Sequence, residues 1–185
     1  RGRFQRDADG RIVAAQVLSR HRLRDAQGRP LGRRASDSEG IAVGSDGTIY
    51  ISFEGGRHTR VSAYAHPDAP ERVLPDAPLF RELPRAGTLE SLAIDGQDRL
   101  YTMPQSAHQG RFRLLRLDGG QWHEIGALEP GRGHLPVGPD FGADGHLYQH
   151  LTELLGATVV AGALGGGARA AARAGKQPRS IQRGQ

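Results

Sequence analysis

One short phrase recurs three times in this chain, and it restricts the fold more than any other feature. A small apolar strand runs into a Gly/Asp turn, and a second strand ending Ile-Tyr or Leu-Tyr follows. The copies run from Gly40-Ile41-Ala42-Val43 to Ile49-Tyr50, from Ser91-Leu92-Ala93-Ile94 to Leu100-Tyr101, and from Asp140-Phe141-Gly142 to Leu147-Tyr148. The three tyrosines are 51 and 47 residues apart. A hairpin returning at about that interval is the sequence signature of a β-propeller, whose four-stranded blades bury their faces against their neighbours. The repeat predicts an all-β chain forming a partial β-propeller: about two full four-stranded blades plus pieces of the flanking ones. It also puts the start of each repeat beside a central channel.

The strands between the repeats fit this plan. Blade one is expected at Gly40–Val43, Thr48–Phe53, Arg60–Ala65 and Glu71–Leu74, and blade two at Ser91–Ile94, Leu100–Met103, Phe112–Leu117 and Gln121–Leu128. Each segment is short, alternating or β-branched, and closed by turn residues. Pro75 to Gly87, broken by Pro75, Pro78 and Pro84, reads as the crossover between them. Glu129 to Gly138 reads as the next crossover, so a third blade opens at Asp140. Residues 4–32 read as two outer strands of a preceding blade, bounded by turns at Asp9-Gly10, before Arg11-Ile12-Val13, and at Ala26-Gln27-Gly28, after Arg22-Leu23-Arg24.

The pattern stops near residue 148. From Gly156 to Gly175 almost every residue is Ala or Gly punctuated by Arg, with little apolar area to offset the entropy of ordering. Arginine outnumbers lysine 24 to 1, as in GC-rich coding sequence, which gives Ala, Gly, Arg and Pro when read out of frame. Two regions are therefore expected: a propeller portion, 1–148, and an Ala/Gly/Arg-rich tail, 149–185, either disordered or out of frame.

Charge location decides what the basic pI near 10.4 means. Residues 154–185 hold five basic and no acidic groups, whereas residues 1–153 hold 20 of each. A phosphate-binding footprint needs a basic folded face with stacking aromatics; here the excess lies on a tail without an aromatic residue, so no nucleic-acid partner is expected. No run approaches the roughly 18 apolar residues of a membrane span. Without cysteine, disulfides and thiolate metal sites are excluded.

Four acids stand out. Glu39 and Glu90 each precede the repeat tyrosine by 11 residues, so both fall at the start of an innermost strand, near the channel mouth. Carboxylates gathered there repel, and either one protonates or they share a cation; hard oxygen ligands suit calcium or magnesium. Asp37 lies two residues before Glu39, and Glu54 closes the second strand of blade one. The third repeat has Val137 at the matching position and blade two has Gln105 where blade one has Glu54. The competing reading is structural: Arg33, Arg34 or Arg85 pairs with the two glutamates, and Arg57 or Arg60 with Glu54. Asp46, Asp98, Asp118 and Asp144 read as turn residues, and Trp122 and His123 as packing residues. No Gly-x-Ser-x-Gly elbow is present, and Gly165-Gly166-Gly167 lacks the strand and Lys-Ser/Thr of a phosphate loop. On a strand His146 and His150 stand roughly 13 Å apart, too far for one metal.

The run Asp37-Ser38-Glu39-Gly40-Ile41-Ala42, with Asp46-Gly47 and Ser52-Phe53-Glu54 after it, resembles the Asp-Ala-Glu-Gly signature of the phytase-like propeller family, whose bacterial members are described as "esterase-like activity of phytase". Leu89-Glu90-Ser91-Leu92-Ala93 and Leu135 to Tyr148 are similar to the family's next two landmarks, in order, and Arg24 to Leu31 to the segment before the first. The resemblance covers residues 1–148. It departs at Gln105, usually Glu in the family, and at Gln149-His150-Leu151, usually Leu-Glu-Arg. It implies hydrolysis of a phosphoric or carboxylic ester of a small molecule, assisted by a calcium ion. Glu39 and Glu90 are then the catalytic acids, and Asp37, Glu39, Glu54 and Glu90 the metal ligands. It further implies export to the periplasm or exterior, and blades beyond both ends of this sequence. The alternatives are a non-catalytic propeller binding a ligand or protein partner on its top face, an inactive truncated product, or a lactonase-type six-bladed enzyme.

Overall fold

The repeated phrase folds as the first hairpin of successive antiparallel sheets. A computed structural model describes residues 1–54, 59–82, 89–129, 135–153 and 156–162, with the backbone alone for 151–153 and 156–162. The chain opens with a two-stranded ribbon, β1 (Gly2–Arg6) and β2 (Ile12–Val17). A four-stranded sheet follows, with β3 (Ser38–Val43), β4 (Ile49–Phe53), β5 (Arg60–Tyr64) and β6 (Arg72–Val73) side by side in chain order. After a short helix, α1 (Pro78–Glu82), comes a second sheet of the same order. Its strands are β7 (Ser91–Ile94), β8 (Leu100–Met103), β9 (Phe112–Asp118) and β10 (Gln121–Leu128). A third holds β11 (Leu135–Phe141), β12 (Leu147–Glu153) and β13 (Gly156–Gly162). The first strand of each sheet is its edge, and β7 lies against β3 on one side and β11 on the other. Meanders whose first strands gather together are blades around a common axis, so the fold is all-β and a partial β-propeller.

Apolar residues fill the joints between blades. Ala42, Val61 and Ala63 of blade one meet Leu92, Leu100 and Leu115 of blade two in one cluster. Tyr101, Met103 and Phe112 of blade two meet Leu147, with Phe141 against them, in the next. A third cluster, Ile51, Phe53 and Tyr64, is covered by Leu23 and Leu31 from the segment ahead of blade one. The repeat tyrosines also serve their turns: Tyr101 Oη donates to Asp95 at 2.9 Å and Tyr148 Oη to Asp144 at 2.7 Å.

Three features differ from the sequence expectation. Arg22–Arg24 forms no strand, only bridges from Arg24 to Pro30 and Pro70, and the opening hairpin lies upstream as β1 and β2. The first crossover contains α1, where Pro78 opens the helix without losing a needed N–H. There Phe80 packs on Trp122 at a 5.8 Å ring distance, and Trp122 Nε1 donates to the Pro75 carbonyl at 2.8 Å. The neighbouring His123 is exposed, as strand alternation requires. Third, β11 begins at Leu135, within the expected crossover. Pro136, Gly138 and Pro139 masked it; they are tolerated because β11 ladders on one side only and is bulged at Gly138. Past residue 148, β12 continues and β13 pairs along it. Gln149 is 2% exposed and bonds to Ser91 Oγ and the Val137 carbonyl, inside the joint between blades two and three. Residues 154–155 and 163–185 of the expected tail lie outside the described residues.

Candidate functional site

The antiparallel order of each sheet puts the start of its first strand beside the end of its second. In blade one this places Asp37 and Glu39, at the start of β3, next to Glu54, just beyond β4. The Glu54 N–H donates to the Asp37 carbonyl at 3.0 Å, which closes that corner. Ligand oxygens of Asp37, Glu39 and Glu54 all lie within 4.8 Å of one another. Glu90 immediately precedes β7, at the same end of the neighbouring blade, and its charge acts on both Glu39 and Glu54. The structure therefore brings together three of the four acids singled out from the sequence, with Glu90 at the same end of the next blade.

Local geometry explains why Glu39 points into this corner. Ser38 pairs with Phe53 and Gly40 with Ser52, leaving Glu39 bulged out of the ladder. A bulge re-aims its side chain, here toward the rim. Gly40 has to be glycine: a Cβ there would stand 2.7 Å from Ser52 Oγ and 2.8 Å from Leu92 Cβ of the next blade. Close approach of β3 to β7 is thus written into the Glu-Gly pair, and it draws Glu39 and Glu90 to one rim.

The electrostatics are those of a crowded acidic corner. Burial raises the Glu39 carboxyl above its ordinary value, and the charges of Glu54, Glu90 and Asp37 raise it further. Burial also raises Glu54, followed by the charge of Asp37 and its side-chain hydrogen bond, then by Glu90. Arg60 is a nearby cation. Its guanidinium lies 3.0 Å from Glu71, donates to the Ala35 carbonyl at 3.1 Å, and stacks 4.1 Å over the Phe53 ring. Arg57 and Arg85 lie outside the described residues, and Arg33 and Arg34 are exposed.

These residues fit a hard divalent cation. Oxygens sharing one calcium ion lie at most twice the Ca–O distance apart, about 4.6–5.2 Å, and the three carboxylates meet that condition. At the third blade the rim changes, with Val137 opposite His150 on β12. Gln105 follows β8 as Glu54 follows β4, leaving blade two one rim carboxylate, Glu90, at these positions. Two site features were hidden in the sequence: the bulge at Glu39 and the buried Ser52 beneath it. Neither has a linear signal, because both depend on cross-strand geometry.

Comparison with known proteins agrees with the motif reading. The sequence profile of the phytase-like family, described as "esterase-like activity of phytase", matches residues 1–137. The chain belongs to this family. No curated protein matches it in sequence. Among solved structures it is similar to a gluconolactonase from Xanthomonas campestris, at 21% identity and a TM-score of 0.47, covering 85% of this chain and 50% of that one. It is also similar to a streptogramin B lyase, at 12% identity and a TM-score of 0.36, covering 71% and 56% respectively. This phytase-like chain thus spans about half the length of the solved structures it matches. Among the described residues, no helix is long and apolar enough to cross a membrane.

Proposed function

We propose that this chain carries the rim of a cation-assisted ester hydrolase acting on phosphoric or carboxylic esters of small molecules. The observation that supports it most is the gathering of Asp37, Glu39 and Glu54 within 4.8 Å, with the charge of Glu90 acting on Glu39 and Glu54. Like charges held that close are costly unless a proton or a cation is shared among them. The family's esterase-like description supplies the reaction class.

In this reading Asp37, Glu39, Glu54 and Glu90 hold calcium, and Glu39 and Glu90 are the catalytic acids. When bound, the cation polarises the ester oxygen and offsets charge developing in the transition state. The residues themselves hold the site open: the bulge aims Glu39 at the rim, and the Glu54–Asp37 backbone bond fixes the opposite wall. Without a cation, burial and the acidic neighbours raise the Glu39 carboxyl; a calcium ion shared by these groups would offset that repulsion and favour the ionised form that both ligation and proton acceptance require. Export to the periplasm or exterior, where calcium is plentiful, belongs to the same proposal.

The test is turnover of a panel of phosphate and carboxylate esters, with calcium and with a chelator. Hydrolysis should require calcium and fall about 100-fold or more in Glu39→Gln and Glu90→Gln. Turnover unaffected by chelator and by both substitutions contradicts the proposal. Absence of turnover together with retention of a protein partner in pull-down favours a binding propeller instead.

A further inference from the structure

We infer that Ser52 is a positioning residue for this rim, a buried hydroxyl that sets Glu39 of one blade against Glu90 of the next. The inference rests on the reading of the rim as a cation site. Ser52 lies in β4 and has no solvent exposure. Its Oγ accepts the N–H of Gly40 at 2.9 Å and donates to the carbonyl of Leu89 at 2.5 Å. Gly40 immediately follows Glu39, and Leu89 immediately precedes Glu90. One oxygen therefore fastens the backbone beside each acid, across two different sheets.

The chemistry suits a serine. A hydroxyl has one donor and two acceptor lone pairs, so it can serve both partners at once. Its neighbours require it as well: the bulge takes Glu39 out of the ladder, and a side-chain oxygen meets the Gly40 N–H beside it. Leu89 is itself fully buried, so its carbonyl has no ready access to water. The device is confined to the joint flanked by acids. Two residues after the next repeat tyrosine stands Met103, which has no hydroxyl, and the third rim position there is Val137 rather than an acid. That joint is bridged instead by the side chains of Ser91 and Gln149.

Cation ligands depend on the groups that orient them, and loss of such a group commonly weakens binding about 10–100-fold. The test is calorimetric titration of calcium into the 185-residue chain and its Ser52→Ala and Ser52→Cys variants, with the melting temperature of each measured without calcium. Ser52→Ala should weaken calcium binding about tenfold. Ser52→Cys, whose thiol is larger and donates weakly, should also bind calcium more weakly than the parent. The tenfold loss should largely vanish in a Glu90→Gln background, because Glu39 then has no acid across the joint to be spaced against. A change under about twofold, or a loss that adds in full to that of Glu90→Gln, overturns the positioning role and leaves the cation site standing. Failure of both variants to fold makes the hydroxyl a folding requirement and also overturns it. A parent chain that takes up no calcium contradicts the underlying site, and the inference falls with it.

Discussion

Glu39, proposed as a cation ligand, shows how such a residue works against the stability of its own fold. Burial, with the charges of Glu54, Glu90 and Asp37, raises its carboxyl, so the folded chain binds that proton more tightly than the unfolded chain does. Such a group favours folding below the ordinary carboxylate range, and the benefit is lost as pH rises through the raised value. Near neutral pH without a cation the corner is therefore destabilising. Glu39→Gln should raise the melting temperature at about pH 7 in chelator, by about 2–4 °C for each kcal/mol of repulsion relieved. The gain should shrink toward pH 4 and invert when calcium is added. A thermal melt with and without calcium checks this, and a lower melting temperature for Glu39→Gln in chelator contradicts it. Glu39 and Glu90 were legible in the sequence because each lies 11 residues before a repeat tyrosine. Glu39's bulge and its tether to Ser52 were not, because a side chain's direction depends on a register that linear spacing does not specify.

Each inner hairpin is closed by an acidic turn on the end away from the rim, and the three copies do not use the same residue. Asp95 accepts the N–H groups of Gln97 and Arg99, the Arg99 guanidinium and the Tyr101 hydroxyl. Burial alone would raise its carboxyl, but these bonds outweigh it and the net shift is downward. A depressed acid stabilises the fold above the ordinary carboxylate range, and that contribution is lost as pH falls through the lowered value. Asp95→Asn should cost about 1.5–3 kcal/mol near neutral pH. The difference should close in acid, as read by urea unfolding at a series of pH values; a cost that does not change with pH contradicts it. In blade one Asp46 binds its own Thr48, while Asp98 of blade two reaches across to Ser45 with its backbone at φ 58°. The turns were legible as turns because Gly and Asp mark them. The link from Asp98 to Ser45 was not, since it joins residues 53 apart. The helix α1 was hidden by its length, five residues among prolines.

Across the whole molecule the blades cover one another, but the opening ribbon and β3 leave apolar residues exposed. The register of β1 and β2 gathers Phe4, Ala15 and Val17 on one face of the ribbon, with Arg3, Gln5 and Gln16 on the other and the exposed Val13 at the bulge between Ile12 and Ala14. Phe4 is 63% exposed, and Ile41 and Val43 of β3 are also exposed. A two-stranded ribbon with an uncovered apolar face is marginal alone, and such faces and edges invite association. The isolated chain should self-associate at micromolar concentration, and Val13→Thr with Val17→Thr should shift sedimentation toward monomer. A parent chain that sediments as a monomer throughout contradicts this. The blade plan was legible because glycine and aspartate turns punctuate alternating strands at a steady interval; the third blade's first strand was not, because its prolines imitate a crossover. The central claim is that two blades of a propeller bring four carboxylates to one rim and hold a cation there. Anomalous diffraction from crystals grown with calcium or a lanthanide tests it most directly. The account predicts one peak bounded by Asp37, Glu39 and Glu54, with Glu90 facing it. Well-ordered carboxylates with no peak among them, or Glu90 on a different surface from Glu39, would contradict it.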